Sequence, residues 1–245
     1  MASDAAVPET LPPVVPALLS FVAGYVDVYT FLVLFGLFVA QVTGSFVTAG
    51  AELVTHDVGI TGKAIAILAF LFAAALTAGL IALTRERNRA ALPWMLAFET
   101  LLLAFTVLML ATAPATDADD WGGILAGAFG AMAMGAQSAT VRLLMRGIPQ
   151  TNVMTGNMTQ LGIATTELLL AWRRHVRDRD DLSNEREFLA VRARLLVVLA
   201  IATGFLLGAA AGAVGYAKAG LAGLPLAVLI VGALAVWALV RERRA

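Results

Sequence analysis

Met154-Thr155-Gly156-Asn157-Met158-Thr159 follows a long apolar segment, and Val42-Thr43-Gly44-Ser45-Phe46-Val47 is its fainter echo. Each sets a hydroxyl residue, a glycine and a short polar residue ahead of a fresh run of helical character. That is a helix N-terminus: the small polar residue caps free backbone N–H groups, and the glycine lets the chain turn. Both stretches lie among apolar runs of about 20 residues, the length that crosses a hydrocarbon core of about 30 Å. A helix that starts at that depth is tolerated only where it is buried in protein or lines a polar cavity. The pair therefore predicts a membrane fold with two interrupted helices, and marks where a site would lie.

Composition agrees. The chain has 245 residues, 60% hydrophobic and 14% charged, with mean hydropathy +0.85. Soluble domains are nearer half apolar and a quarter charged. The formal net charge is zero, so no basic field points to nucleic acid. With no cysteine there is no disulfide, thiol catalysis or cysteine metal site. His56 and His175 fall in predicted connections without ligand spacing, so neither a metal nor another cofactor is expected. No G-x-S-x-G, His-Glu-x-x-His or phosphate loop is present, and enzyme activity is not expected. Residues 1–10 hold no Lys or Arg, unlike the basic start of a signal peptide.

The predicted fold is all-α, a single integral membrane domain over 1–245. Six spans are expected at 14–38, 60–84, 93–113, 121–145, 189–217 and 221–240. Two short broken or re-entrant helices join them, one within 39–55 and one from the Thr155 turn to about Trp172. His56, Asp57 and Gly59 read as a polar break, and Lys63 as a residue snorkelling at the mouth of the second span. The charged stretch 173–188 reads as a cytoplasmic loop. Trp94, Trp121, Trp172 and Trp237 all fall near predicted element ends, where tryptophan prefers the membrane interface.

Orientation follows from Lys and Arg. The connections at 85–89, 142–146 and 173–187 and the tail at 241–244 are arginine-rich, whereas 114–120 holds aspartates and no basic residue. By the positive-inside rule the rich set, and the C-terminus with it, is cytoplasmic. Arg146 and Arg173 then share a side, so the segment between them returns or lies at the surface. If 39–55 also fails to cross, each half has three spans, and the halves, 14–113 and 121–240, are an inverted repeat. At an offset of 112, Thr43, Gly44 and Gly50 match Thr155, Gly156 and Gly162, and Ser45 faces Asn157.

Gly24-Tyr25-Val26-Asp27, Phe38-Val39-Ala40-Gln41-Val42-Thr43-Gly44-Ser45, Gly135-Ala136-Gln137-Ser138 and Met154-Thr155-Gly156-Asn157 together resemble the blocks of the YoaK family of bacterial integral membrane proteins, a domain of unknown function. The resemblance covers nearly the whole chain and implies a multi-pass protein of the bacterial cytoplasmic (inner) membrane. Ser45 stands where the family pattern usually has asparagine. The family brings no activity to carry over.

Paired half-helices in an inverted repeat are the architecture of many secondary transporters, with free N–H groups turned toward a midplane site. Thr43, Gly44, Ser45, Thr155, Gly156 and Asn157 are therefore candidate ligands for a small polar or anionic solute, with Gln137 beside them. Close packing and back-bonding hydroxyls are the alternative. Asp27, a carboxylate in mid-span, must face protein or water. It reads either as a coupling or substrate-binding group, or as an acceptor capping the nearby Thr-Gly helix. Glu99 and Arg142 lie at similar depth, which permits an ion pair. The Gly204-Gly208-Gly212 and Gly123-Gly127-Gly135 strips read as packing or dimer faces, so a homodimer stays open. The functional expectation is a transporter or permease, and the competing one a non-transporting scaffold that binds a partner or lipid.

Overall fold

The structure, a computed structural model, describes residues 11–55, 59–87, 90–178 and 181–244; His56, Asp57, Arg89 and Arg179 lie outside them. Eight α-helices follow in order: α1 (Val14–Val33), α2 (Val42–Thr55), α3 (Ile60–Glu86), α4 (Leu92–Thr112), α5 (Trp121–Leu144), α6 (Met154–Arg177), α7 (Leu182–Ala219) and α8 (Pro225–Glu242). No strand occurs among the described residues. Six helices are long and apolar enough to cross a membrane: α1, α3, α4, α5, α7 and α8. The protein is an all-helical, multi-pass membrane protein. Large apolar side chains such as Leu68, Leu71, Phe72, Leu206, Leu207, Leu229 and Val236 stand exposed around the bundle, as a hydrocarbon solvent requires.

The first span ends earlier than expected. The helix stops at Val33, and Phe35 (φ 51°) and Gly36 (φ 80°) adopt left-handed backbone that reverses the chain. Residues 37–41 then run back into the bundle as non-helical backbone before α2 begins. Lys63 at the start of α3 pairs with Glu52 near the end of α2, and its Nζ lies 3.5 Å from the carbonyl of Phe35. The ends of α1 and α2 and the start of α3 therefore share one face of the bundle. Segment 39–55 re-enters and returns without crossing. Lys63 does not snorkel: it is 2% exposed and held inside by that pair.

The second half repeats the plan upside down. Leu34 at the end of α1 packs against Gly123 and Gly127 at the start of α5, so α1 and α5 run in opposite directions. Gly147 (φ 79°) turns the chain after α5, and α6 follows. The most extensive helix contacts are crossed, α1 on α7 and α5 on α3. Gly24 lies against the Phe205 backbone, and its counterpart Gly135 against the Phe70 backbone. Both sites exclude a side chain because a carbonyl occupies the space. Gly204, Gly208 and Gly212 likewise face the backbone of Ala17, Phe21 and Tyr25, so this strip packs within the chain. About 67% of the apolar stretch is buried in α1 and in α5, against 39% or less in the other spans, so these two are the inner helices.

Two ends can be distinguished. Arg85 donates to the Leu143 carbonyl, and Ala90 N–H to Glu242, which gathers the ends of α3, α5 and α8 with the start of α4 into one arginine-rich end. The opposite end carries Asp117, Asp119 and Asp120 before α5. There Tyr25 and Tyr29 donate to the carbonyls of Gly223 and Gly220 (2.8 and 3.1 Å), clamping the 3-10 turn between α7 and α8.

The charged stretch 173–188 is not a loop. Helix α6 continues to Arg177, and α7 starts at Leu182, capped by Asp181, which accepts from Ser183 N–H at 2.8 Å. The bonds from Ser183 hold the Asp181 carboxyl below the usual carboxylate range. The second half is larger because of this hairpin: α6 has 24 residues against 14 in α2, and α7 has 38 against 27 in α3. At a rise of about 1.5 Å per residue, α7 is about 57 Å long and overshoots a core of about 30 Å. Its arginine-rich end stands clear as an arm with α6, tied by Arg174–Glu187 at 2.9 Å.

A Cβ at Gly208 collides with the Phe21 backbone, whereas one at Gly162 meets nothing within 4 Å. Gly208→Ala is expected to lower stability by about 1–3 kcal/mol, the usual cost of overpacking. Gly162→Ala is expected to be neutral or to raise it by up to about 1 kcal/mol. Thermal unfolding of the two purified variants in detergent measures both.

Candidate functional site

Non-helical backbone inside a membrane must have its polar groups met by protein, since each one left bare costs several kcal/mol. The first break meets them almost residue by residue. Leu37 N–H donates to the Leu34 carbonyl at 3.2 Å, and Phe38 N–H to Ser45 Oγ at 3.1 Å. Val39 and Ala40 N–H both donate to Asp27 Oδ1 at 2.8 Å, and Gln41 N–H lies 3.5 Å from the same oxygen. Ser45 Oγ also donates to the Phe38 carbonyl at 2.7 Å, closing the segment onto the first turn of α2. Gly44 fits beneath it because a Cβ there would sit 2.8 Å from the Phe38 ring.

The second break, 145–153, uses different chemistry for the same task. Asn157 Nδ2 donates to the Gln150 carbonyl at 2.7 Å, the counterpart of Ser45 on Phe38. A serine at the first turn therefore does what a carboxamide does at the second. Ser20 Oγ on α1 lies 2.8 Å from the carbonyls of both Thr151 and Ile201, which share its one proton. Gln137 Nε2 donates to Thr151 Oγ1 at 2.7 Å and to the Leu19 carbonyl at 3.0 Å. Ser138, three residues after Gly135 as Asp27 is three after Gly24, lies 3.2 Å from Gln150 Oε1 and 3.4 Å from Asn152 Oδ1. The two breaks touch: Asn152 Nδ2 lies 3.5 Å from the Ala40 carbonyl, its own equivalent at the 112 offset.

A cavity of about 390 Å³ opens beside the second break, toward the arginine-rich end. Gln150, Gly156, Asn157, Gln160 and Arg194 supply its polar lining. Arg194 lies 3.0 Å from Glu167, an ion contact that offsets its charge. Gln160 Nε2 is buried and has no acceptor among the described residues. Its side chain lines the cavity together with the Arg194 guanidinium.

The expected site residues thus divide. Asp27 (3% exposed), Ser45 and Gly44 belong to the first break, Gln137 and Asn157 to the second, and Gly156 and Asn157 line the cavity. Thr43 and Thr155, on the first turns of α2 and α6, are exposed on the outer face and do not join them. Glu99 and Arg142 do not pair: Glu99 is fully buried with neither oxygen partnered, while Arg142 is exposed. Sequence reasoning did not find Ser20, Asn152, Gln160 or Arg194. Asn152 alone carried a signal, a carboxamide just ahead of the Thr155-Gly156-Asn157 turn.

Asp27→Asn keeps a carbonyl oxygen where Oδ1 accepts, and is expected to unfold within about 1 kcal/mol of wild type. Asp27→Ala leaves two close backbone donors unpaired and is expected to cost about 2–6 kcal/mol, at about 1–3 per orphaned donor. Thermal or denaturant unfolding of both variants in detergent tests the difference.

No curated protein and no solved structure matches the chain. One family model does, the one described as "Protein of unknown function (DUF1275)", and it spans residues 15–237. The YoaK resemblance is consistent with it. With nearly the whole helical domain matched, the chain belongs to the DUF1275 family of proteins of unknown function.

Proposed function

We propose that the protein is a transporter or permease of a small polar or anionic solute. It works in the bacterial cytoplasmic membrane, with its arginine-rich end and C-terminus in the cytoplasm. The observation that carries this reading is the cavity at the second break, with its unpartnered Gln160 donor and the carboxamides of Gln150 and Asn157. A solute of small-metabolite size fits about 390 Å³. It would take hydrogen bonds from Gln160 and Asn157 while Gly156 leaves the backbone open to approach. The inverted halves supply the motion. Each crossed pair, α1 with α7 and α3 with α5, is a tightly packed unit, and the breaks meet between them. Rocking one pair against the other would move the solute across the Asn152–Ala40 contact.

The competing reading is a membrane scaffold without transport. It is favoured by Asp27, whose carboxylate is engaged by backbone amides and not turned to the cavity. The two readings part on ligand binding. A thermal-shift screen of sugars, amino acids, organic acids, nucleobases and inorganic ions is expected to give a hit on wild type. In Gln160→Ala that shift should be lost, with the unliganded melting temperature unchanged. The same solute should then enter proteoliposomes bearing wild type, with uptake reduced about tenfold in the variant, the worth of one hydrogen bond near 1.4 kcal/mol. An empty screen supports the scaffold.

A further inference from the structure

Glu99 is fully buried on α4, and neither carboxylate oxygen has a partner among the described residues. It is the only charged residue of α4. On α5, which packs along it, the only charged residue is Arg142, and that is exposed. On α8 there are only Arg241, over the Trp237 ring, and Glu242, at the Ala90 N–H. The 3-10 turn that touches α4 carries none. Behind α5, the charges of α3 (Lys63, Arg85 and Glu86) sit at its two ends, and Asp27 of α1 is held by the first break. An anion so placed has no counter-charge and no hydrogen bond made to it, whereas a carboxylic acid there has one proton to give.

The register of α4 on α5 names the acceptor. A Cβ on Gly130 would lie 3.7 Å from Thr106 Oγ1, and nearer the arginine-rich end Leu143 and Leu144 pack against the cluster of Ile81, Ala91 and Met95. The helices are antiparallel. Two turns from the Thr106–Gly130 contact, on the same stripe of each helix, the register sets Glu99 level with Gln137. Gln137 Oε1 is buried and unpartnered, and so is Thr140 Oγ1 one turn on. The other end of that carboxamide holds the second break, through Thr151 Oγ1, and α1, through the Leu19 carbonyl.

We propose that Glu99 is a proton-binding site whose occupancy sets how firmly the second break is held, with the Gln137 carboxamide as the link. With the proton on, the acid O–H donates to Gln137 Oε1, and Nε2 keeps Thr151 and Leu19. When the proton leaves to the medium, a carboxylate faces a carboxamide oxygen and repels it. The amide then rotates to present its N–H groups to Glu99; the tie to the Leu19 carbonyl is released, and the Thr151 hydroxyl keeps a bond only by turning to donate to Oε1. Glu99 acts here as a positioning residue: it moves the break without touching a solute, so the proposal stands whether or not the protein transports.

Hydrogen–deuterium exchange of peptides covering 148–158 reads the switch in the full-length protein in detergent, corrected for the intrinsic pH dependence of exchange. In wild type, protection of this segment should fall about tenfold as pH rises through the titration, the worth of about one hydrogen bond. In Glu99→Gln, which can always donate, protection should stay high and flat with pH. In Gln137→Leu it should be low and equally flat. Wild type alone supplies a second readout if a variant fails to fold. Carbon-13 labelling of glutamate should shift an infrared carbonyl band of a buried acid that disappears at high pH. A label-shifted acid band absent at every pH, or the wild-type exchange profile retained in Glu99→Gln, overturns the proposal.

Discussion

A single carboxylate oxygen makes the interrupted first half tenable. Asp27 Oδ1 takes the backbone N–H groups of Val39 and Ala40, which would otherwise stand bare at membrane depth. Much of the architecture is a consequence. The carboxylate must be kept from lipid, so α1 has to be an inner helix. An inner helix needs close neighbours on several sides, and Gly24 lets the α7 backbone come within reach. The return segment must approach α1 again after leaving it, and the left-handed pair Phe35–Gly36 bends it back.

The second half solves the same problem with the sign of the hydrogen bond reversed. Its break is held mainly through carbonyls and hydroxyls that accept from Ser20, Gln137 and Asn157. No carboxylate stands at the position of Asp27; Ser138 does. The repeat is one of geometry, in glycine contacts and in the placing of breaks, more than of chemistry. That explains why so few letters match between the halves while the order of elements does. It also leaves the halves unequal: the first break closes its amides on Asp27 and Ser45, and the second sits beside a cavity lined by Gln160.

Much of the fold was legible because the bilayer writes in simple terms. Apolar runs of spanning length gave the six crossing helices, and the arginines on both sides of 146–173 required a segment that returns. The Thr-Gly turns marked where α2 and α6 begin. The end of α1 was not legible. From Phe31 to Ala40 the chain is apolar throughout, and the lone Gly36 that reverses it looks like any glycine in a span. The helical arm was hidden for the opposite reason: 173–188 is charged, and charge alone does not separate a loop from a solvated helix. Within the site, Asp27 and Asn157 stood out as polar residues in apolar company. Glu99 was seen but given a partner by depth, and depth says nothing of which face a side chain occupies. Gln160 and Arg194 needed the packing of α6 on α7, which no local pattern encodes.

The crossed pairing of the halves bears on how the chain is made. Helix α1 is synthesised first, yet the surface it needs is α7, and Ser20 finds the Ile201 carbonyl only across 181 positions. Helix α5 finds α3 already in place, so the middle of the protein assembles before its beginning. Until α7 emerges, α1 must wait in the membrane with its inner face uncovered. The Asp27 clasp on its own following segment gives it a local partner during that delay. The protein is therefore closed like a loop of belt: the last long helix fastens the first, and a chain stopped before α7 leaves α1 without the partner it packs on most closely.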